Sequence, residues 1–132
     1  MPIRGLRWLY LPVPELRRLL GPQKIIGLST HLAEQAREAI DLGADYIGVG
    51  PIFATRTKED VVDPVGLAYL EHVARHSPLP FVAIGGIKEH NIGQVVHRGA
   101  KSVCLVTEIV GAEDIPATTR RLQAALLGTG RK

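Results

Sequence analysis

Four short, nearly continuous apolar runs alternate with segments whose apolar positions recur every three or four residues. The runs are Lys24–Leu28, Tyr46–Val49, Phe81–Ile84 and Ser102–Val106. Continuous rather than alternating apolar character is the pattern of parallel strands covered on both faces. The segments between and after them have helical periodicity. Leu32, Ala36, Ala39 and Ile40 share one face; Leu67, Leu70 and Val73 share a second. Ile92, Val95 and Val96 form a third, and Ile115, Leu122 and Leu126 a fourth. One more helix, over about Pro14–Leu20, comes first and stops at Gly21-Pro22.

The punctuation agrees with this order. Asp63-Pro64 reads as an N-cap followed by proline in the first helical position, and Asp114 is placed to cap the last helix. Gly43 and Gly99 stand where a helix ends in a left-handed residue. The segments Asp41–Asp45 and His97–Lys101, 56 residues apart, are therefore equivalent helix-to-strand junctions, a weak internal repeat of two βα units. A helix followed by four βα units belongs to the α/β class, with right-handed crossovers and a parallel sheet. A complete eight-stranded barrel takes about 250 residues. The fold expected is therefore a partial TIM-type (βα) barrel or a small open sheet. Its boundaries divide the chain into an atypical arm at 1–12, a domain at 13–128 and a flexible tail at 129–132. Trp8 and Tyr10 in the arm fit no ordinary first βα unit.

Composition narrows the class. The chain has 132 residues, 45% of them apolar, enough for one domain with a real core. Its net charge of +3 is scattered, densest at Arg4, Arg7, Arg17 and Arg18. With aromatics at only 5%, the basic stripe and stacking residues of a nucleic-acid binder are missing. No apolar run approaches the roughly 20 residues that span a bilayer. Leu9–Val13 is short and broken by proline, so no signal peptide is expected. The single cysteine, Cys104, has no internal disulfide partner and reads as a small buried hydrophobe. These features fit a cytoplasmic protein.

The chemistry gathers just beyond strand ends. Thr55, Thr57 and Lys58 follow Gly50-Pro51-Ile52-Phe53, where parallel α/β folds place their active sites. Lys58 is suited to bind phosphate as a mobile point charge, against the bland reading of a solvated loop lysine. Arg56, between the threonines, either joins them or points outward. Gly85-Gly86 serves either a tight turn or the close approach of a phosphate to bare backbone amides. If Phe81–Ile84 and Ser102–Val106 are the last two strands of a barrel, Gly86 and Thr107 meet one anion. Ser29 and Thr30 are both placed to cap the following helix; Thr30 is better placed, leaving Ser29 for a ligand. His31 is read as a loop-packing residue rather than an acid–base group. His72 and His76 stand four apart with no third metal ligand, as on a solvated helix face. Glu108 follows Thr107 with no partner assigned. There is no Cys-His metal motif, P-loop or dinucleotide fingerprint.

Several of these segments, taken in order, resemble thiamine phosphate synthase. They are Ile26-Gly27-Leu28-Ser29-Thr30-His31, Gly43 to Phe53, Thr55-Arg56-Thr57-Lys58, Pro64-Val65-Gly66-Leu67, Val82 to Ile87, and Gly111-Ala112-Glu113-Asp114. The likeness runs from Leu11 to Leu126. It implies a (βα)8-class transferase that couples hydroxymethylpyrimidine diphosphate to thiazole phosphate, giving thiamine phosphate and pyrophosphate with magnesium. On matching positions, Lys58 and Ser29 would hold the pyrimidine diphosphate. Thr55, Arg56 and Thr57 would contact the thiazole phosphate, with Gly86, Val106 and Thr107 closing around it. The family usually has serine where Thr107 stands.

The family also carries a Gln-x-Arg-x-Lys strand, acidic magnesium ligands and a His-x-Gly-Gln-x-Asp segment ahead of the helix near Pro14. Here that place reads Leu6-Arg7-Trp8-Leu9-Tyr10-Leu11, so no metal ligand carries over. The expectation is a C-terminal half that binds small phosphorylated substrates and acts with a complementary N-terminal half. Two alternatives stand beside it. One is a non-catalytic phosphate-binding module that pairs with itself as a homo-oligomer; the other is a tautomerase-like isomerase using His31.

Overall fold

A computed structural model describes residues 11–54 and 66–129. The arm at 1–10, the segment 55–65 with its expected Asp63-Pro64 cap, and residues 130–132 lie outside the described residues. The elements are α1 (Val13–Leu20), β1 (Gly27–Thr30), α2 (Ala33–Leu42), β2 (Tyr46–Val49) and α3 (Gly66–His76). They continue with β3 (Phe81–Ile84), α4 (Ile92–His97), β4 (Val103–Cys104), α5 (Thr107–Val110) and α6 (Ile115–Thr129). All strands are parallel, in the order β1-β2-β3-β4, with Ser29 opposite Gly48, Gly48 opposite Val82 and Ile84 opposite Cys104. This is the expected α-(βα)4 order with one short helix, α5, inserted after β4.

The strands have two unlike faces. Ile47, Val49 and Ala83 turn toward Ala36 and Ala39 of α2, Leu70 and Val73 of α3, Ile92 and Val95 of α4, and Leu122 of α6, forming one buried cluster. The other face carries Gly27, Ser29, Tyr46, Gly48, Val82, Ile84 and Cys104, and every one is exposed or half-buried. Coverage on both faces, expected from the apolar runs, is therefore corrected: helices pack on one side only among the described residues. Cys104, expected to be buried, is half-buried on the open side. The sheet is an open arc, the geometry of part of a barrel.

The boundaries of β2 and β3 match expectation. β1 starts and ends later than the apolar run Lys24–Leu28, because the preceding Ile25 is 77% exposed and only Ile26 enters the core. β4 is shorter than Ser102–Val106, since the chain turns into α5 at Thr107. Leu32, Ile40 and Ile115 were expected on buried faces but are exposed. Small Ala36 and Ala39 instead bring α2 close to the sheet.

Both helix-to-strand junctions end alike. Gly43 N–H bonds Ile40 O at 3.1 Å and Ala44 N–H bonds Ala39 O at 3.0 Å. Gly99 N–H bonds Val96 O at 3.0 Å and Ala100 N–H bonds Val95 O at 3.2 Å. This paired pattern is the Schellman motif, and it buries the alanine after each glycine. The repeat seen in the sequence is thus a repeat of hydrogen bonding.

At the amino edge of the sheet, Asp45 accepts from the Ile26 amide at 2.8 Å and from Arg17 Nη2 at 2.7 Å. The same guanidinium donates to the carbonyls of Lys24 at 2.5 Å and Gly43 at 3.2 Å. Arg17, one of the four arginines where the scattered basic charge is densest, thereby ties α1 to the segments that lead into β1 and β2. Its hydrogen bond, then the Ile26 amide, hold the Asp45 carboxyl below its ordinary value of 3.8. A depressed folded-state pKa adds stability above the unfolded value, and that stability is lost as pH falls through the folded value. The difference in urea midpoint between wild type and Asp45→Asn should be flat near neutrality and shrink below about pH 4. A gap that persists undiminished into strong acid would refute this assignment.

Beneath the sheet, Thr30 Oγ1 donates to Gly48 O at 2.8 Å and lies 2.5 Å from the Tyr69 hydroxyl. Thr30 is therefore not the cap of α2; Leu32 occupies that position and makes no side-chain cap. Burial raises the Tyr69 pKa, and Thr30 partly opposes the shift. Thr30→Val keeps the shape but strands the buried tyrosine hydroxyl. A loss of about 1–3 kcal/mol is expected in urea unfolding, with the denaturant slope unchanged.

Candidate functional site

The carboxyl ends of the strands meet where the segment after β2 crosses the end of β3. Ile52 N–H bonds Ile84 O at 3.0 Å, and Phe53 N–H bonds Gly85 O at 3.0 Å. Ile52 is fully buried beneath this crossing. Gly85 (φ 109°) and Gly86 (φ 67°) are both left-handed. A Cβ on Gly86 would stand 2.5 Å from Ala54 O, and one on Gly85 2.5 Å from Pro51 Cα. The glycine pair is required by this crossing, so a tight turn is part of its role. Gly86→Ala would disturb packing as well as any ligand, and cannot report on binding alone.

Asn91 fixes the turn that follows. It is buried, its Nδ2 donates to Gly86 O at 3.1 Å, and its Oδ1 accepts from the Lys88 amide at 2.7 Å. Lys88 and Glu89 then reach the end of β4. Lys88 Nζ donates to Thr107 Oγ1 at 2.9 Å, and the Glu89 amide donates to Glu108 Oε2 at 2.7 Å. The strand ends of β3 and β4 are therefore stapled at two successive residues. Glu108 has the partner that the sequence did not supply. The only advance signal for this staple was the placement of two polar pairs after consecutive strands.

Of the residues expected at the site, Ser29 is exposed at the end of β1 on the open face, and Val106 and Thr107 are exposed after β4. Gly86 lies at the end of β3. Thr55, Arg56, Thr57 and Lys58 lie outside the described residues, so their positions relative to Gly86 and Thr107 are not described. His31 Nδ1 lies 2.7 Å from Gly50 O and therefore carries the proton of that bond, while its backbone amide donates to Gln35 Oε1 at 2.7 Å. That is a loop-packing role, as expected. His72 and His76 only face each other, their ring centroids 4.5 Å apart. Among the described residues no three His, Cys, Asp or Glu side chains gather to hold a metal ion. The magnesium implied by resemblance therefore finds no ligand set there.

Beyond Thr107, a shallow cleft of about 400 Å³ opens between α5 and α6. Thr107 lines one end of it, together with Glu89, Glu108, Glu113, Asp114 and Arg121. Four carboxylates against one guanidinium make it a poor phosphate site. Glu89 is paired with Arg121 at 2.9 Å, and Asp114 caps α6 through the Ala117 amide at 3.0 Å, as expected. Lys88 does not line this cleft.

Fold and strand-end chemistry together define a parallel (βα) half-barrel with hydroxyl, ammonium and bare backbone at its carboxyl edge. A profile described as thiamine monophosphate synthase matches residues 10–109. The chain belongs to that family. It is 65% identical over 116 residues to a thiamine-phosphate synthase of Pelotomaculum thermopropionicum, covering 88% of this chain and 53% of that protein. A Shouchella clausii protein of the same name is 59% identical over 116 residues, covering 88% and 56%. Among solved structures, thiamine phosphate pyrophosphorylase from Pyrococcus furiosus superposes with a TM-score of 0.81 at 31% identity. That match covers 90% of this chain and 56% of the other. The chain thus spans about half the length of these relatives.

Asn91→Ala removes both bonds across the Gly86–Lys88 turn. It should cost about 1–3 kcal/mol of stability, because the Gly86 carbonyl and Lys88 amide lose their partner. Amide hydrogen exchange should accelerate at Lys88 and Glu89 before it does in β2; uniform acceleration would argue against a local clamp.

Proposed function

We propose that this chain carries the thiazole-phosphate side of a thiamine phosphate synthase site and serves thiamine biosynthesis. The observation that supports this reading is the stapled pair of strand ends, with the Gly86 turn and Thr107 linked through Lys88. Gly86 offers backbone, and Thr107 a hydroxyl, to a phosphate beside Val106. Thr55, Arg56 and Thr57 would contact the same phosphate from the loop after β2. Lys58 and Ser29 would hold the pyrimidine diphosphate. In the reaction, the bond between the pyrimidine methylene carbon and the diphosphate oxygen breaks, and its electron pair leaves with pyrophosphate. The lone pair of the thiazole nitrogen then forms the new carbon–nitrogen bond. Donors around the departing oxygens stabilise the charge developing there.

Among the described residues one sheet face is uncovered and the outer edges of β1 and β4 are unpaired, which favours a partner that completes the arc. A complementary N-terminal half is the partner of this reading; a second copy is the partner of the binding-module alternative. The isomerase alternative is disfavoured because His31 is engaged with Gly50. No helix of the described residues is long and apolar enough to cross a membrane. A cytoplasmic setting is part of the proposal.

Calorimetric titration separates these readings. Thiazole phosphate should bind the chain alone, whereas pyrimidine diphosphate with magnesium should bind only after the complementary half is added. The assembly should then release pyrophosphate, and Lys58→Ala should suppress that turnover while sparing thiazole-phosphate affinity. Binding without turnover in the assembly would leave only the module; no binding at all would remove the site.

A further inference from the structure

We infer that Lys88 is a phosphate-binding and specificity-determining residue, its ammonium shared between Thr107 and the phosphate of the bound thiazole. The inference rests on the reading above and adds a cation that neither the resemblance nor the sequence pattern assigned. What supports it is the place of the ammonium, two residues beyond Gly86 and bonded to Thr107. Arg17, Arg18, Arg75, Arg98 and Arg121 each face a carboxylate among the described residues. Lys24, Arg37, Lys88, Lys101 and Arg120 do not, and of these five only Lys88 has its side chain bonded to a strand-end hydroxyl. Glu89 is drawn to Arg121 in α6, and Glu108 to the Glu89 amide. Neither forms an ion pair with the ammonium, which meets the neutral Thr107 hydroxyl.

A hydroxyl satisfies only one of the three donors on an ammonium and none of its charge. The backbone beneath is held by Asn91, so Lys88 starts from a fixed position two residues beyond Gly86. A phosphate held by Gly86 and Thr107 would take the remaining donors in charge-assisted hydrogen bonds. Such a contact discriminates a phosphorylated thiazole from the corresponding alcohol, because only the former carries the charge.

The test compares the full chain with Lys88→Gln, Lys88→Arg and Lys101→Gln by calorimetry, using thiazole phosphate and the thiazole alcohol. Lys101 is exposed at the opposite, amino end of β4, so its variant makes the same charge change away from the site. Lys88→Gln should weaken thiazole-phosphate binding about tenfold or more, Lys88→Arg should restore part of it, and Lys101→Gln should have little effect. The weaker affinity for the alcohol should not respond to Lys88→Gln. Equal losses in Lys88→Gln and Lys101→Gln, or unchanged binding in Lys88→Gln, would overturn the assignment while leaving the phosphate site standing. Failure of the unaltered chain to bind thiazole phosphate would overturn both.

Discussion

Everything at the carboxyl edge depends on one backbone crossing. The chain leaving β2 makes sheet-like hydrogen bonds to Ile84 and Gly85 after the sheet itself has ended. Two peptide chains this close leave no room for side chains, which is why the sequence places glycine at 85 and 86. Burial of Ile52 under the crossing makes it part of the core rather than a surface loop. The strand ends are consequently held as one unit, and the orientation of the following turn is set before any ligand contact.

The two edges of the sheet use different devices for the same task. At the amino edge an exposed pair, Arg17 and Asp45, gathers three carbonyl or amide groups from neighbouring segments. Exposed ion pairs contribute little by themselves. The value of this one lies in the backbone groups it satisfies. At the carboxyl edge a neutral amide, Asn91, does the equivalent work from a buried position. That choice adds no further carboxylate beside Lys88, where Glu89 and Glu108 already stand.

Much of the architecture was legible in the sequence because it rests on local rules. β2 and β3 were marked by apolar runs bounded by glycine or proline, and the Gly43 and Gly99 junctions by their shared spacing. What the pattern misread was decided by tertiary contacts. Thr30 has the chemistry of a cap, yet Tyr69, 39 residues away, takes its hydroxyl. β1 slid toward Thr30 because pairing with Tyr46–Val49 fixes its register, whereas hydropathy alone favoured Ile25. Of the expected site, Ser29, Gly86, Val106 and Thr107 do stand at strand ends, as the position of each after an apolar run implied. Lys88 gave no such signal, since its bond to Thr107 joins two segments 19 residues apart.

The open face explains why continuous apolar runs were a misleading guide to coverage here. Val82, Ile84 and Cys104 carry the apolar character of a barrel interior, but among the described residues no layer lies over them. Gly27, Ser29 and Gly48 are the small residues of that face, and the Tyr46 ring lies over Gly27, where no Cβ would fit. An interior of a closed barrel must be filled by side chains from strands on the far side. The sequence of this half therefore encodes one finished interface, toward its helices, and one unfinished interface, toward strands it does not contain among the described residues. The proposed phosphate site sits at the carboxyl rim of the open face and is built from the finished side, through Asn91 and the crossing at Ile84. That arrangement would let the proposed phosphate site be ordered independently of whatever completes the arc.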